Sequence, residues 1–212
     1  MSRYDHLAFT PAVRRAQQEL GSAAAADRRL RMPGGTEAQA LTGAEADFIR
    51  GLDNFLFATV GATGWPYLQF RGGPPGFVHV LNERTLGYLD VRGNRQYITT
   101  GNLRGDGRVA LFFLDHARRA RLKLLGRATA VPATDAPALA ARLDSPRTDG
   151  TVEQIVTIRV EAFAWNCPNH ITPRPSHREL TDRLARLERE NAALRAELAA
   201  HDRGTERPWK TS

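Results

Sequence analysis

Three short runs carry residues that could hold a ligand. The first is Gln69-Phe-Arg-Gly-Gly-Pro-Pro-Gly-Phe77. Gln69 and Arg71 stand two positions apart, so on a strand both point to one face. The glycines after them let backbone come close to a partner. The second run is Asp90-Val-Arg-Gly-Asn-Arg-Gln-Tyr97, read as a strand end passing into a helix over Arg95–Leu103. N–H groups at a helix N-terminus, with Asn94, Arg95 and Gln96 beside them, make a cradle for phosphate. The third, Arg118-Arg-Ala-Arg-Leu-Lys-Leu-Leu-Gly126, alternates cations with apolar residues and puts Arg119, Arg121 and Lys123 on one strand face. Each run alone also reads as a solvated strand face with turn glycines. Brought together by barrel strands, they point to a flat anionic ligand with a phosphate, bound at a barrel rim.

A fourth segment, Trp165-Asn-Cys-Pro-Asn-His-Ile-Thr-Pro-Arg174, mixes aromatic and polar groups. Cys167 is the single cysteine of the chain, which excludes an internal disulfide framework and a cysteine-based zinc site. The Cys-Pro step offers no stabiliser for a thiolate, so Cys167 reads as a packed thiol. Asp115-His116 reads as a hairpin turn, and no His/Asp/Glu spacing points to a metal.

These groups need elements to position them. Short β-like runs occur at 55–60, 65–70, 77–81 and 85–90, separated by Gly-Ala-Thr-Gly, Gly-Gly-Pro-Pro-Gly and Asn-Glu-Arg turns. Further strands are predicted at 108–114, 121–131 and 153–162, with a helix over 136–143. Regular short strands with tight turns argue for a closed or nearly closed antiparallel barrel. Ahead of them, Thr10-Pro11 starts a helix that Gly21 stops, 28–35 reads as a basic turn, and Thr42 with Glu45 caps a helix over 43–52.

The tail changes pattern. Leu180, Leu184, Leu187, Asn191, Leu194 and Leu198 alternate four- and three-residue spacings, a heptad seam with Asn191 at an a position. Arg183 and Glu188, and Glu190 and Arg195, match in sign across a parallel pair, whereas Glu197 and Asp202 repel. An amphipathic helix packed on its own domain is the alternative.

Composition sets the class. The chain has 212 residues, 42% hydrophobic and 25% charged, which is ordinary globular material. The net charge of +7 raises nucleic acid or phosphate as partners. Residues 91–127 alone hold nine Arg/Lys against two Asp, so the surplus collects at the proposed cradle. A DNA-binding zipper needs a continuous basic helix running into the heptads, and Pro168, Pro173 and Pro175 interrupt it. No apolar run is long enough to span a membrane, and the N-terminus leads into no signal-like core, so the expected location is cytoplasmic.

The run from Phe55 to Val131 resembles the pyridoxamine 5′-phosphate oxidase-like family of FMN-binding split barrels. Within it, Arg-Gly-Gly-Pro-Pro-Gly-Phe, Gly-Asn-Arg-Gln-Tyr and Arg-Leu-Lys-Leu-Leu-Gly resemble a subgroup of flavin-nucleotide-binding proteins. The oxidase's phosphate-holding Thr-Asn-Tyr-x-Ser-Arg-Lys run falls on 90–96, with Arg95 retained and Gln96 in place of Lys. Its flavin-contacting strand Arg falls on Gln69, and Arg71 on the same face would supply that charge. Its Arg-Gln-Val-Arg-Val-x-Gly strand falls on 120–126, which puts Arg121 and Lys123 near the isoalloxazine. The resemblance implies FMN bound by Gln69, Arg71, Asp90, Asn94, Arg95, Gln96, Arg121, Lys123 and Trp165. It places His170 or Arg174 on the substrate side, often of the partner subunit, with a satisfied turn histidine as the alternative for His170. The oxidase's Tyr/Arg/Ser set for the phosphate of vitamin B6 has no counterpart in 132–140, so oxidation of that vitamin is not expected.

The expected fold is therefore mainly β with flanking helices: an antiparallel, Greek-key FMN-binding split β-barrel plus a C-terminal coiled-coil helix. The expected organisation is a helical lead-in (1–52), the barrel (53–175), the heptad helix (176–203) and a tail (204–212). The expected function is a homodimeric FMN-dependent oxidoreductase with parallel C-terminal helices. The alternatives are a flavin-binding or sensing module without turnover and, third, a basic nucleic-acid-binding protein.

Overall fold

The computed structural model describes residues 2–31, 35, 37–144, 146, 150–165 and 169–205. Seven strands form one antiparallel sheet: β1 (Asn54–Val60), β2 (Pro66–Gly72), β3 (His79–Asn82), β4 (Thr85–Val91), β5 (Arg108–Asp115), β6 (Ala120–Pro132) and β7 (Val152–Trp165). Their order is β2-β1-β5-β6-β7-β4-β3, so the sheet ends at β2 and β3. The strand pattern predicted an antiparallel barrel, and the order agrees with the split barrel that the family resemblance implied.

Alternation builds the barrel interior. On β1, Phe55, Phe57 and Thr59 are buried while Leu56 and Ala58 face outward. Phe55 is the hub, with ring centroids 5.2 Å from Phe113, 5.6 Å from Tyr88 and 6.0 Å from Phe77. Such edge and offset contacts suit aromatic quadrupoles. At Gly126 the β6–β7 register shifts, and a Cβ there would lie 2.6 Å from the Arg159 carbonyl oxygen, so only glycine fits.

Helices precede, interrupt and follow the sheet. They are α1 (Arg3–Ala8), α2 (Pro11–Glu19), α3 (Ala23–Arg31), α4 (Gly43–Arg50), α5 (Ile98–Gly105), α6 (Pro137–Arg142) and α7 (His177–Thr205). Two sequence expectations need correction. Residues 28–31, read as the start of a basic turn, are the last turn of α3. The Ala23–Ala26 run favours helix, and Arg28, Arg29 and Arg31 complement the negative end of its dipole. Nor does α5 begin at Arg95. Arg95 (φ 59°) and Tyr97 (φ 52°) are left-handed, and Asn94 Oδ1 accepts from the Gln96 N–H at 3.1 Å, so a turn occupies the place of the first helical residues.

The capping box on α4 is present: Glu45 accepts from the Thr42 N–H at 2.9 Å and from its hydroxyl. α1–α6 and the sheet fall in one compact unit (Met1–Asp115 with Arg119–His170). α7 belongs to a second (His116–Arg118 with Ile171–Ser212). There, Ser176 caps α7 by accepting from the Glu179 N–H at 3.2 Å while Glu179 accepts back from the Ser176 N–H at 2.7 Å.

Candidate functional site

The inward face of β2 opens onto a cleft of about 150 Å³ at the mouth of the barrel. Three segments supply it: Gln69 and Arg71 from β2, Asp90 from β4, and Asn94, Arg95 and residues 97–100 from the turn and first residues of α5. β7 closes the far side with Glu153 and Gln154, because the β4–β7 register sets Asp90 opposite Gln154.

Arg71 is the best anchored of these. Its side chain is 20% exposed, Nη2 donates to Thr99 Oγ1 at 3.4 Å, and Nε lies 3.6 Å from Asp90 Oδ1, too far for a hydrogen bond. Nε is buried and makes no hydrogen bond among the described residues, and neither does the hydroxyl of Tyr88 behind it. Burial works against the Arg71 charge, but its interactions with the Tyr88 oxygen and the Asp90 carboxylate outweigh it and raise its pKa. Burial drives the Tyr88 phenol up. Burial likewise lifts the Asp90 carboxyl above its ordinary value, against the pull of Arg71.

The other carboxylate of the cleft is held differently. Glu153 accepts from Arg92 Nε at 2.7 Å and from the Tyr97 hydroxyl at 3.1 Å, and these bonds, the Arg92 one first, lower its pKa. Tyr67 donates to Gln69 Oε1 at 2.7 Å and so orients that amide. Ile98, Thr99 and Thr100 bring the N-terminal N–H groups of α5, which have no intrahelical acceptor, to the cleft wall. An orphaned guanidinium N–H, a second arginine, a threonine hydroxyl and helix N–H groups suit an oxyanion such as a phosphate.

Gln69, Arg71, Asp90, Asn94 and Arg95 thus come together. Gln96 is exposed and outside the cleft lining, its N–H turned to Asn94. Arg121 and Lys123 stand on the opposite face of the sheet, alternating with the buried Leu122 and Leu124, so one chain does not bring them to Arg71. The Lys123 ammonium lies 5.3 Å from the centroid of the Tyr4 ring. Trp165 is also elsewhere: its ring meets Phe48 edge-on at 4.8 Å and its Nε1 donates to Glu45. His170 is an exposed turn residue with φ 64°, and Cys167 lies outside the described residues. The described residues hold no cluster of three potential metal ligands, and no helix among them is long and apolar enough to cross a membrane.

Sequence reasoning missed Thr99, Thr100, Glu153 and Gln154. Tyr67 was within reach, since it shares the two-residue spacing of Gln69 and Arg71.

Two solved structures are similar to part of the chain. HupZ of Group A Streptococcus is 17% identical, with 64% of this chain and 100% of that chain covered and a TM-score of 0.46. A Clostridium acetobutylicum protein related to general stress protein 26, of the pyridoxinephosphate oxidase family, is 13% identical, with 61% and 88% covered and a TM-score of 0.39. No curated protein matches the chain. The family model of pyridoxamine 5′-phosphate oxidase matches residues 41–162, which take in α4, all of β1–β6 and most of β7, together with every residue of the cleft. The chain belongs to the pyridoxamine 5′-phosphate oxidase family.

Proposed function

We propose that this protein is a homodimeric, cytoplasmic flavoprotein that binds FMN in the cleft and acts as an oxidoreductase on a small molecule other than vitamin B6. The observation that carries the reading is the buried Nε of Arg71, which makes no hydrogen bond among the described residues, beside Thr99 and the first residues of α5. Arg71, Arg95, Asn94 and Thr99 would hold the phosphate, and Gln69, fixed by Tyr67, would meet the ribityl chain or ring edge. The flavin, when bound, supplies the electron or hydride transfer.

The second subunit supplies what one chain keeps apart. Phe70, Leu56, Phe112 and Lys123 form a row across four strands on the outer face of the sheet. Leu68 and Phe70 on that face are each 60% exposed, which suits burial against another copy. There, Arg121 and Lys123 would approach the flavin of the partner and stabilise its reduced, anionic form.

Many of the arginines are already engaged by carboxylates, among them Arg14, Arg29, Arg92, Arg108 and Arg159. This disfavours the basic surface as a nucleic-acid footprint. The test is titration of the purified protein with FMN, followed by flavin fluorescence and absorbance. Saturable quenching supports the reading, and unchanged spectra refute it. Mixing the complex with NAD(P)H under stopped flow then separates an oxidoreductase from a module that binds without turnover.

A further inference from the structure

The heptad helix is the large apolar feature that the cleft does not use. α7 runs from His177 to Thr205, and Leu180, Leu184, Leu187, Leu194 and Leu198 are between 44% and 64% exposed along it. From Leu180 to Leu198 the stripe is about 27 Å long at the helical rise. Alanines at 185, 192, 193, 196, 199 and 200 fill the positions off the seam, which favours the helix itself. A helix of this kind leaves half-covered leucines in water unless a second helix meets them.

We infer that α7 pairs, parallel and in register, with α7 of a second copy of this chain. Three observations choose that occupant over an unrelated partner. The seam follows the 3.5-residue repeat, with a positions at 184, 191 and 198 and d positions at 180, 187 and 194, the pattern of a two-stranded coiled coil. In a parallel pair of identical helices, Arg183 faces Glu188 and Glu190 faces Arg195 of the other copy, each twice by symmetry, so the helix is complementary to itself. Asn191 interrupts the seam at an a position. In a parallel pair its amide meets the same amide across the axis and the two satisfy each other. In an antiparallel pair it would face a leucine at a d position and be buried without a partner. Within the chain, Glu190 also lies 3.8 Å from Arg186, a surface pair weak enough to exchange for Arg195 of a second helix.

The test is disulfide trapping in the full-length protein with Cys167→Ser as background. Leu180→Cys, at the first d position, is expected to convert most of the chain to a covalent dimer under mild oxidation. Arg189→Cys, on the outer f position, is expected to give little, and adding Leu184→Glu with Leu187→Glu to Leu180→Cys is expected to abolish the crosslink. Circular dichroism of each variant verifies that the sheet is retained. Equal crosslinking at 180 and 189 would show mere proximity and overturn the inference. So would crosslinking of Leu180→Cys chains to Leu198→Cys chains in a mixture with none between Leu180→Cys chains, since that is the antiparallel arrangement. Absence of any crosslink would show the helix unpaired.

Discussion

Nε1 of Trp165 donates to Oε1 of Glu45 at 2.6 Å, joining the end of β7 to the start of α4 across 120 residues of chain. The other oxygen of that carboxylate closes the α4 capping box, so one buried side chain ends a helix and fastens it to the sheet. Burial alone would raise Glu45, but the hydrogen bonds from Thr42 and Trp165 prevail and lower its pKa.

Glu45→Gln is expected to destabilise the protein by about 1–3 kcal/mol, through the weakened cap and the weakened indole bond. Because the folded-state pKa is depressed, the carboxylate contributes fully above its unfolded value, and the contribution is lost as pH falls through the folded one. The gap between wild type and Glu45→Gln should therefore close on acidification. Urea unfolding at several pH values reads both effects, and a gap that is constant with pH would rule out the charged acceptor as its source.

Arg71→Met keeps the length of the side chain and removes the donor. Losing a charge-assisted hydrogen bond of about 1.5–3 kcal/mol should weaken FMN about 10- to 150-fold. Riboflavin, which has no phosphate, should lose far less. Parallel titrations with both ligands make the comparison, and equal losses would move Arg71 away from the phosphate.

Asp90 acts in the opposite direction. It stands beside the proposed phosphate, with a pKa raised by burial. Protonating it on acidification removes a repulsion, so FMN affinity should rise as pH falls towards that pKa. Asp90→Asn should bind more tightly at neutral pH and show a flatter profile. Isothermal titration across pH distinguishes this from titration of the FMN phosphate itself, which both proteins share.

Lys123→Met should make the bound flavin harder to reduce, because a cation near a reduced anion stabilises it. Tyr4→Leu, which removes only the ring beneath the ammonium, should shift the potential far less. Photoreduction beside a reference dye gives both potentials.

Gly126→Ala should cost about 1–3 kcal/mol through overpacking. The added methyl would meet the Arg159 carbonyl at 2.6 Å, and a strand carbonyl moves only with its ladder. Thermal unfolding tests this, and a neutral result would show that the bulge relaxes.

Strand positions were legible because β-branched and aromatic runs alternate between well-marked turns, as Phe55 and Phe57 do against Leu56 and Ala58. The cleft was half legible. Gln69 and Arg71 declare a shared face by spacing alone, but Glu153 arrives through the pairing of β4 with β7, which local sequence does not encode. Arg121 and Lys123 also declare a shared face. Alternation says nothing of which face it is relative to another strand, and the structure puts them opposite Arg71. The start of α5 was misread because left-handed Arg95 and Tyr97 are uncommon outside glycine and leave no compositional mark.

A guanidinium that already faces a carboxylate at 3.6 Å carries its own competitor. A small inorganic anion offers little more than Asp90 does and gains little by entering. A ligand that also engages the α5 N–H groups and Gln69 would add contacts that Asp90 lacks, so in the proposed site the pair would act as a selectivity filter against the free phosphate of its surroundings.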